Sequence, residues 1–270
     1  SLIVRGGNRV GIYFNEKGAS QRGSVCIYDR AHSAIQEAQS SDFDWDKIFE
    51  GAEWFHFTGI TPALGPNVVE ICKEACKAAK AHGCKISCDL NYRKNLWRYE
   101  GANAQDSLHK LMEYSSFIFG DQNEWEVASG LKHIPFKAMD AGYEIDRNAY
   151  EAYFRELKKQ FPRCRRMLIA LRNQITSAHH TLTGVLYADD KLYTTRIYDI
   201  QPIIDPMGVG DAFVAAFIHA RQRWTDDDQR CLDFALAASA MKNTVPGDQN
   251  LVTEQEIIAM MGNTTGRIER

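Results

Sequence analysis

The sequence has no long hydrophobic run. No stretch of its 270 residues approaches the roughly 18 consecutive apolar residues that a membrane-spanning helix requires, and the chain does not begin with a charged segment followed by an apolar one. Lys and Arg are scattered along the chain and the formal net charge is −3, so no basic stripe for a phosphate backbone is present. We therefore expect a soluble, cytoplasmic protein that binds neither membrane nor nucleic acid.

The sequence also lacks a cysteine framework. Its seven cysteines are an odd number spread over the whole chain, which suits a reducing compartment better than a set of disulfides. The pairs Cys72/Cys76 and Cys84/Cys88 do not have the usual zinc-ligand spacing, and Cys72 and Cys76 fall on the apolar face of a predicted helix, so we interpret them as packing residues. The pair His179-His180 has no acidic or cysteine neighbour, and we expect an exposed loop there.

Two common phosphate-binding patterns are absent. The chain contains neither a Gly-x-x-x-x-Gly-Lys-Ser/Thr loop nor a His-Arg-Asp catalytic loop. The sequence therefore excludes a P-loop nucleotide-binding protein and a protein kinase.

The pattern of apolar and polar residues changes along the chain. Residues 5–30 contain two short β-like stretches separated by turn residues, which predicts a small hairpin or flap. Residues 40–47 are polar and acidic, and a boundary lies nearby. We predict a β lid over residues 1–35 and a core over residues 36–270.

Strands and helices alternate through the core. This alternation predicts a mostly parallel sheet covered on both faces by helices, hence an α/β fold. A late antiparallel hairpin is expected around Asp189-Asp190, and three helices close the chain, the last begun by a capping box from Thr253 to Glu256. The predicted core strands are residues 54–57, 84–88, 116–119 and 166–171, and the predicted closing helices begin at residues 209, 229 and 253.

Polar residues cluster directly after three predicted strands. They occupy residues 89–93, 120–126 and 205–211. Because ligands of open α/β sheets bind outside the carboxyl ends of the strands, we expect these stretches to line a cleft for an anion, a metal ion and a hydroxyl group.

The third stretch carries the most specific signal. Gly208 and Gly210 allow close approach of the backbone to a ligand, and the helix that starts there directs free N–H groups at an anion such as phosphate. Asp211 lies in the first turn. By itself an acidic residue at that position is also explained as a partner of the helix dipole.

Residues 208–213, Gly-Val-Gly-Asp-Ala-Phe, resemble the C-terminal signature of the PfkB (ribokinase-like) carbohydrate kinases. The resemblance implies a three-layer sandwich with a mostly parallel central sheet and a small β lid. It also implies that Asp211 is the catalytic base and that Gly208, Val209 and Gly210 hold the transferring phosphoryl group, with ATP and Mg²⁺ as cofactors.

The resemblance extends along most of the chain. Residues 89–93, followed by Leu96-Trp97, are similar to the Asp-x-Asn-x-Arg stretch of the 2-keto-3-deoxygluconate kinases of that family. Asn123 and Glu126 match its Asn-x-x-Glu motif, in which Glu126 acts on magnesium through water. The resemblance implies substrate contacts from Tyr13, Tyr28, Arg30, Asp89, Asn91 and Arg93, and nucleotide contacts from Asn123, Glu126, Arg172 and Asn243.

Simpler explanations exist for several of these residues. Arg30 and Arg93 are also typical of a solvated surface, and Arg30 on an exposed lid is also suited to a dimer contact. Tyr13 and Tyr28 are equally consistent with packing on a half-buried hairpin, because aromatic residues are favoured in strands.

Two features depart from the family pattern. The chain begins at Ser1 and enters the lid almost at once, whereas family members carry further strands and a Gly-rich substrate motif before it, so we expect a fragment of a longer protein. The adenine-side loop expected over residues 172–180 lacks the usual Gly-containing pattern.

The expected activity is ATP-dependent transfer of a phosphoryl group to the terminal hydroxyl of 2-keto-3-deoxygluconate. The expected partners are therefore a small sugar acid and ATP, together with a second subunit paired through the β lid. Two alternatives stay open. One is a ribokinase-like kinase for fructose, ribose or a nucleoside, and the other is a sugar or nucleotide sensor without catalysis.

Overall fold

The computed structural model describes residues 5–262, so the first four residues of the predicted lid lie outside the described part. Within the described part no helix is long and apolar enough to cross a membrane. The chain forms two compact units. The first contains the described residues of Ser1–Lys17, Ser24–Ile134 and Ala152–Met167, and the second those of Gly18–Gly23, Pro135–Glu151 and Leu168–Arg270.

Strands and helices alternate as expected for an α/β protein. The strands are β1 Ile12–Glu16, β2 Val25–Asp29, β3 Trp54–Thr58, β4 Lys85–Asp89, β5 Phe117–Gly120, β6 Arg166–Thr176, β7 His179–Ala188, β8 Lys191–Thr194 and β9 Tyr198–Ile200. The helices are α1 Ala34–Glu37, α2 Trp45–Phe49, α3 Pro66–Ala81, α4 Ala104–Met112, α5 Gln122–Ser129, α6 Arg147–Gln160, α7 Val209–Arg223, α8 Asp228–Lys242 and α9 Glu254–Gly262. Short 3₁₀ turns cover Ser40–Asp42 and Pro62–Leu64.

The first strands form a separate antiparallel pair, which we call the N-terminal hairpin. Among the described strands, β1 pairs with β2 alone, with Tyr13 opposite Tyr28 and Phe14 opposite Ile27. Because side chains alternate along a strand, the two tyrosines share one face, and Phe14 and Ile27 share the other. The hairpin predicted over residues 5–30 is confirmed.

The other strands form a mixed sheet in the order β3-β4-β5-β6-β7-β8, with β9 beside β7. β3, β4 and β5 are parallel neighbours, and β5 is buried along its whole length. Strands covered on both faces need apolar residues at every position, which is why the sequence Phe-Ile-Phe-Gly forms β5. The predicted α/β architecture is confirmed.

Helix α3 illustrates how the sequence positions these strands. Pro66 occupies its first turn, where the missing N–H costs nothing. Its buried face includes Cys72 and Cys76, both free thiols, so their interpretation as packing residues is confirmed. No group of three or more potential metal-ligating side chains occurs within residues 5–262.

The second unit contains the antiparallel part of the sheet. β7 pairs with β8 and with β9, and a two-residue turn joins β6 to β7, a connection that only antiparallel neighbours allow. The hairpin predicted around Asp189-Asp190 is confirmed. Both aspartates have positive φ, 50° and 59°, as a tight two-residue hairpin turn requires.

Two predictions for this region are wrong. The loop expected over residues 172–180 is instead the end of β6 and the start of β7, so Arg172 lies in a strand. His179 and His180 begin β7 and are not exposed loop residues. His180 is 1% exposed, and His179 has an acidic partner, since its Nε2 lies 2.7 Å from Asp199 Oδ1 on β9. The partner is twenty residues away in the chain and becomes a neighbour only through strand pairing.

The closing helices follow their local signals. α7 and α8 begin within one residue of the predicted starts. The capping box of α9 is present, because Thr253 N donates to Glu256 Oε2 at 2.7 Å and Glu256 N donates to Thr253 Oγ1 at 3.3 Å.

Candidate active site

The carboxyl ends of β3, β4 and β5 lie side by side in the first unit. Asp89 at the end of β4 is opposite Thr58 on one side and Phe119 on the other. Gly59 N donates to Asp89 O at 2.7 Å, and a Cβ at Gly59 would lie 2.0 Å from the Leu90 carbonyl oxygen. Only glycine permits this approach, so the strand ends are held tightly together.

Asn91 follows the end of β4 with a left-handed backbone, φ 37°. Its Nδ2 donates to Thr58 Oγ1 at 2.9 Å, which orients the amide. Its Oδ1 is buried and accepts no hydrogen bond from the described residues. Because a buried acceptor without a donor is costly, this oxygen is a candidate acceptor for a hydroxyl group of a ligand.

Arg93 is the centre of a charged cluster in the first unit. Its Nη1 donates to Glu124 Oε1 and to the Tyr92 carbonyl, each at 3.1 Å. Burial opposes its charge, but Glu124, Tyr28 and Asp89 together outweigh that effect and raise the pKa of Arg93. Tyr28 and Arg93 lie close enough for each to affect the pKa of the other. The structure thus brings together Tyr28, Asp89 and Arg93, three of the predicted substrate residues.

Glu124 belongs to this cluster although sequence reasoning did not select it. It is buried in the first turn of α5, where Asp121 N donates to its Oε2 at 2.9 Å and Glu124 N donates to Asp121 Oδ1 at 2.8 Å. Burial and the Asp121 charge raise the pKa of Glu124 to about 7, against the opposing effect of Arg93. The signal that would have found it is the capping-box spacing Asp121-x-x-Glu124.

The N-terminal hairpin contributes Tyr13, Tyr28 and Arg30. Tyr28 and Tyr13 face each other across the strands, and the Arg30 guanidinium carbon lies 5.8 Å from the centre of the Tyr28 ring. A Cβ at Gly11 would lie 2.9 Å from Arg30 Cδ, so glycine there leaves room for the Arg30 side chain. Arg30 Nε is buried and has no acceptor among the described residues.

Asn123 and Glu126 both lie on α5. Asn123 is exposed. Glu126 Oε2 accepts from His133 N at 3.1 Å and lies 2.5 Å from His133 Nδ1, and these contacts lower the pKa of Glu126. The Glu126 carboxylate is therefore ionised and held in one orientation. A carboxylate of this kind suits a water-mediated contact to a metal ion, and this role of Glu126 stays a prediction.

In the second unit, the start of α7 forms a cradle of backbone donors. Gly208 is the N-cap residue with φ 73°, and a Cβ there would lie 2.0 Å from the Asp248 carbonyl oxygen, so only glycine is accommodated. No side chain caps the helix, which leaves the backbone N–H groups at its start to a ligand. A Cβ at Gly210 would meet open space. Such a helix start fits a phosphate group.

Asp211 occupies the third position of α7 and is exposed to solvent. No hydrogen bond or ion pair holds its carboxylate among residues 5–262. It is therefore available to a substrate hydroxyl group, as the predicted base must be.

The loop before α7 is tied to the end of α8. Asp205 Oδ2 accepts from Gly247 N at 3.0 Å, and Ile204 N donates to the Asn243 carbonyl at 2.8 Å. Asn243 is fully buried, and its Oδ1 has no donor among the described residues. Lys242 is also fully buried, donates to Val245 O at 3.0 Å, and has its pKa lowered by burial.

Arg172 is exposed in the second half of β6, and its positive charge affects the pKa of the buried His180. Burial, reinforced by the positive charge of Arg172, lowers the pKa of His180 to about 4. Neither ring nitrogen meets hydrogen-bond geometry with the described residues, although the Thr176 backbone lies close enough to favour the charged form. His180 is therefore neutral at physiological pH.

Replacing His180 by Phe should remove an acid-sensitive contribution to stability. An unfolded histidine titrates near pH 6.5, whereas the folded pKa of His180 is about 4, so between these values the unfolded state binds a proton that the folded state does not. The free energy of unfolding should fall as the pH decreases through this window, by about 2 kcal/mol at pH 4.5 from His180.

Urea unfolding of the wild type and His180→Phe at pH 7.5 and 4.5 measures this contribution. The variant should lose about 2 kcal/mol less than the wild type on acidification. His32→Phe, which changes a histidine with an 84% exposed side chain, is the control for the effect of the substitution itself. An identical acid loss in the His180 variant would contradict a depressed pKa.

Comparison with known proteins places these features in a family. A family model described as pfkB family carbohydrate kinase matches residues 1–255. The crystal structure of 2-dehydro-3-deoxygluconokinase from Thermotoga maritima is 38% identical and superposes with a TM-score of 0.85, covering 96% of this chain and 75% of that chain.

Two curated relatives are similar over most of the chain. A 2-dehydro-3-deoxygalactonokinase from Haloferax volcanii is 28% identical over 97% of this chain and 73% of its own length. A 2-dehydro-3-deoxygluconokinase from Thermoproteus tenax is 28% identical over 90% of this chain and 65% of its own length.

Proposed function

Because the chain belongs to the pfkB family of carbohydrate kinases, we propose that it transfers the γ-phosphoryl group of ATP to the terminal hydroxyl group of 2-keto-3-deoxygluconate. The observation that carries the substrate assignment is the cluster of Tyr28, Arg93 and Glu124. A sugar acid carries a carboxylate that neutral sugars lack, and a guanidinium fixed by neighbouring groups is suited to bind it. The names of the relatives support the same class of substrate.

We propose a role for each of the predicted site residues, taken unit by unit. In the first, Arg93 binds the substrate carboxylate, and Asn91 Oδ1, Asp89, Tyr13, Tyr28 and Arg30 contact the remaining polar groups of the sugar. In the second, the N–H groups of Gly208, Val209 and Gly210 hold the transferring phosphoryl group. Asp211 accepts the proton of the attacking hydroxyl as the new bond to phosphorus forms and the bond to ADP breaks.

ATP and Mg²⁺ are the cofactors that this chemistry requires. Phosphoryl transfer depends on positioning and on neutralising charge. The free backbone donors at the start of α7 fit an anionic phosphate. We propose nucleotide contacts from Arg172, Asn123 and Asn243, and a water-mediated magnesium contact from Glu126. The magnesium ion would supply the positive charge that shields the phosphate oxygens. The seven free thiols fit a reducing compartment, and we propose the cytoplasm.

A coupled assay of ADP release tests the substrate. We expect kcat/KM for 2-keto-3-deoxygluconate to exceed that for fructose and ribose by about 10² or more, because a sugar without a carboxylate forms no charge-assisted hydrogen bonds with Arg93. 2-Keto-3-deoxygalactonate is the second candidate, because one relative carries that name. Preference for a neutral sugar would contradict the proposal, and absence of turnover with every sugar would indicate a sensor.

We also propose that two subunits pair through the N-terminal hairpin. Its outer face consists of Ile12, Phe14, Val25 and Ile27, which are 44%, 57%, 49% and 57% exposed. A two-stranded hairpin is marginally stable when one face is left to water. Packing the same face of a second copy against it buries four apolar side chains per subunit through a two-fold contact.

Replacing Phe14 by Asp should therefore give a monomer. A charge introduced on this face cannot be buried without a partner, so the dimer dissociation constant should rise by about 10²-fold or more. Analytical ultracentrifugation at micromolar concentration measures the change. Leu251→Asp, which places the same charge at a residue 71% exposed in the second unit, should leave the dimer intact. A monomeric wild type would contradict the proposal.

A further inference from the structure

One lysine of the second unit is enclosed by the protein, although lysine side chains almost always reach solvent. Lys242, the last residue of α8, is 0% exposed. Its Nζ donates to the Val245 carbonyl oxygen at 3.0 Å. Burial lowers the pKa of Lys242, and the carboxylates of Asp205 and Asp248 act in the opposite direction. The ammonium group therefore lies near an acidic residue of the loop before α7 and near another of the loop after α8.

Capping of a helix does not require this burial. Lys158 stands near the end of α6 and donates to a carbonyl beyond its helix, Pro162 O at 3.1 Å, while its side chain stays half-buried. A charge removed from water is costly unless opposite charges compensate for it. The two carboxylates near Lys242 supply that compensation, so we interpret the buried charge as a link between the loops rather than as a helix cap.

These two loops determine where the start of α7 lies. Asp205 Oδ2 accepts from Gly247 N at 3.0 Å, which joins one loop to the other. Gly208, the N-cap residue of α7, packs so closely on the Asp248 backbone that a Cβ would lie 2.0 Å from the Asp248 carbonyl oxygen. Without Lys242, the carboxylates of Asp205 and Asp248 would repel each other and would repel an anionic phosphate group bound at the start of α7.

We propose that Lys242 is a positioning residue whose ammonium group holds the loop before α7 against the loop after α8, so that the backbone donors at the start of α7 stay directed at the transferring phosphoryl group. This role rests on the proposed function. Because Lys242 is fully enclosed, it acts through the loops and not by contact with the substrate. Donors fixed before the reaction stabilise the transition state without a cost of reorganisation. The loss of Lys242 should therefore appear mainly in kcat and much less in KM for the sugar.

Lys242→Ala tests this role through its response to small cations. The variant loses the charge and leaves a space beside the Val245 carbonyl, so kcat should fall about 30-fold while KM for the sugar stays within about twofold. Ammonium or methylammonium ions should enter this space and raise kcat of the variant about tenfold, with saturation, because they restore a cation with N–H donors. Tetramethylammonium has no N–H donor and should not do so. It also keeps the ionic strength constant, and ADP is quantified by chromatography so that no coupling enzyme responds to the salt.

The controls separate the charge of Lys242 from its contribution to packing. The wild type should not respond to ammonium, because its own amine fills the site. Lys242→Met keeps the side-chain volume without the charge, so it should lose kcat to the same extent and should not be rescued. This variant also gives the loss of kcat if the alanine variant does not fold. Lys158→Ala should lower the melting temperature, leave kcat within about twofold of wild type and show no response to ammonium.

The outcomes are distinct. Values of kcat within about threefold of wild type in both Lys242 variants would overturn the role, because a donor group held out of place should cost more. A loss in Lys242→Ala that neither ammonium nor methylammonium repairs would do the same, as would failure of both variants to fold with or without ammonium. A wild type that phosphorylates only neutral sugars would overturn the substrate assignment alone, since the same measurements can be made with that sugar. A wild type without turnover on any sugar would overturn both.

Discussion

Replacing Asp211 by Asn should lower kcat by about 10²–10⁴-fold, the usual contribution of a positioned general base. Asn has the same size as Asp, so the start of α7 should be preserved, and the exposed position of Asp211 predicts little change in packing. KM for the sugar and for ATP should change little, because the lost interaction acts mainly in the transition state. Steady-state kinetics of ADP release measures all three values.

The chain offers a matched control for this substitution. Asp106 also occupies the third position of a helix, α4, and its N–H donates to the N-cap side chain of Asn103 at 3.0 Å. Asp106→Asn should cost about 0.3–1 kcal/mol of stability through the helix dipole and the loss of its exposed ion pair with Lys110, at 2.7 Å, and leave turnover unchanged. If Asp211→Asn behaves in the same way, with near-normal kcat and a lowered melting temperature, Asp211 is a dipole partner and the proposed mechanism is wrong.

Replacing Arg93 by Gln should lower kcat/KM for the sugar acid by about 10²-fold, since hydrogen bonds to charged groups contribute about 1.5–3 kcal/mol and the substrate charge loses its partner. Phosphorylation of a neutral sugar should fall by less than about threefold, because it makes no such pair. Gln is the appropriate replacement since its amide still donates a hydrogen bond to the buried Glu124.

Arg98→Gln is the control for a general loss of positive charge. Arg98 lies in the same loop and is exposed, with one long hydrogen bond of 3.4 Å to Asn95, so its loss should not distinguish the two kinds of sugar. Equal decreases for acid and neutral sugars in Arg93→Gln would indicate a phosphate-binding role for Arg93 instead.

Much of the fold follows from signals that lie close together in the sequence. The start of α3 at Pro66, the capping box at Thr253 and the turn at Asp189-Asp190 were predictable because each depends on the conformational preferences of a few adjacent residues. Strand β5 could equally be predicted, because its residues form a continuous apolar stretch. The polar stretch after β4 was also predictable as a site, because parallel strands of one sheet end at the same edge.

The errors fall where distant residues decide the structure. His179 and His180 stand in a polar stretch, and nothing near them in the chain indicates a strand. Their strand exists because β9, about twenty residues later, pairs with β7 and brings Asp199 to His179. β6, the neighbour of β7 in the sheet, likewise extends beyond residue 171 and takes the place of the predicted loop that contained Arg172.

By itself, the sequence determined the strand and helix alternation, the glycine-bounded start of α7 and the residue types of the candidate site, because these depend on local backbone preferences and on motif spacing. Only the tertiary structure decided which polar and charged groups are paired or buried. Glu124 reaches Arg93 across 31 positions, and His180 becomes neutral because it is enclosed by the protein. Desolvation and ion pairing depend on three-dimensional neighbours, and no pattern of adjacent residues specifies them.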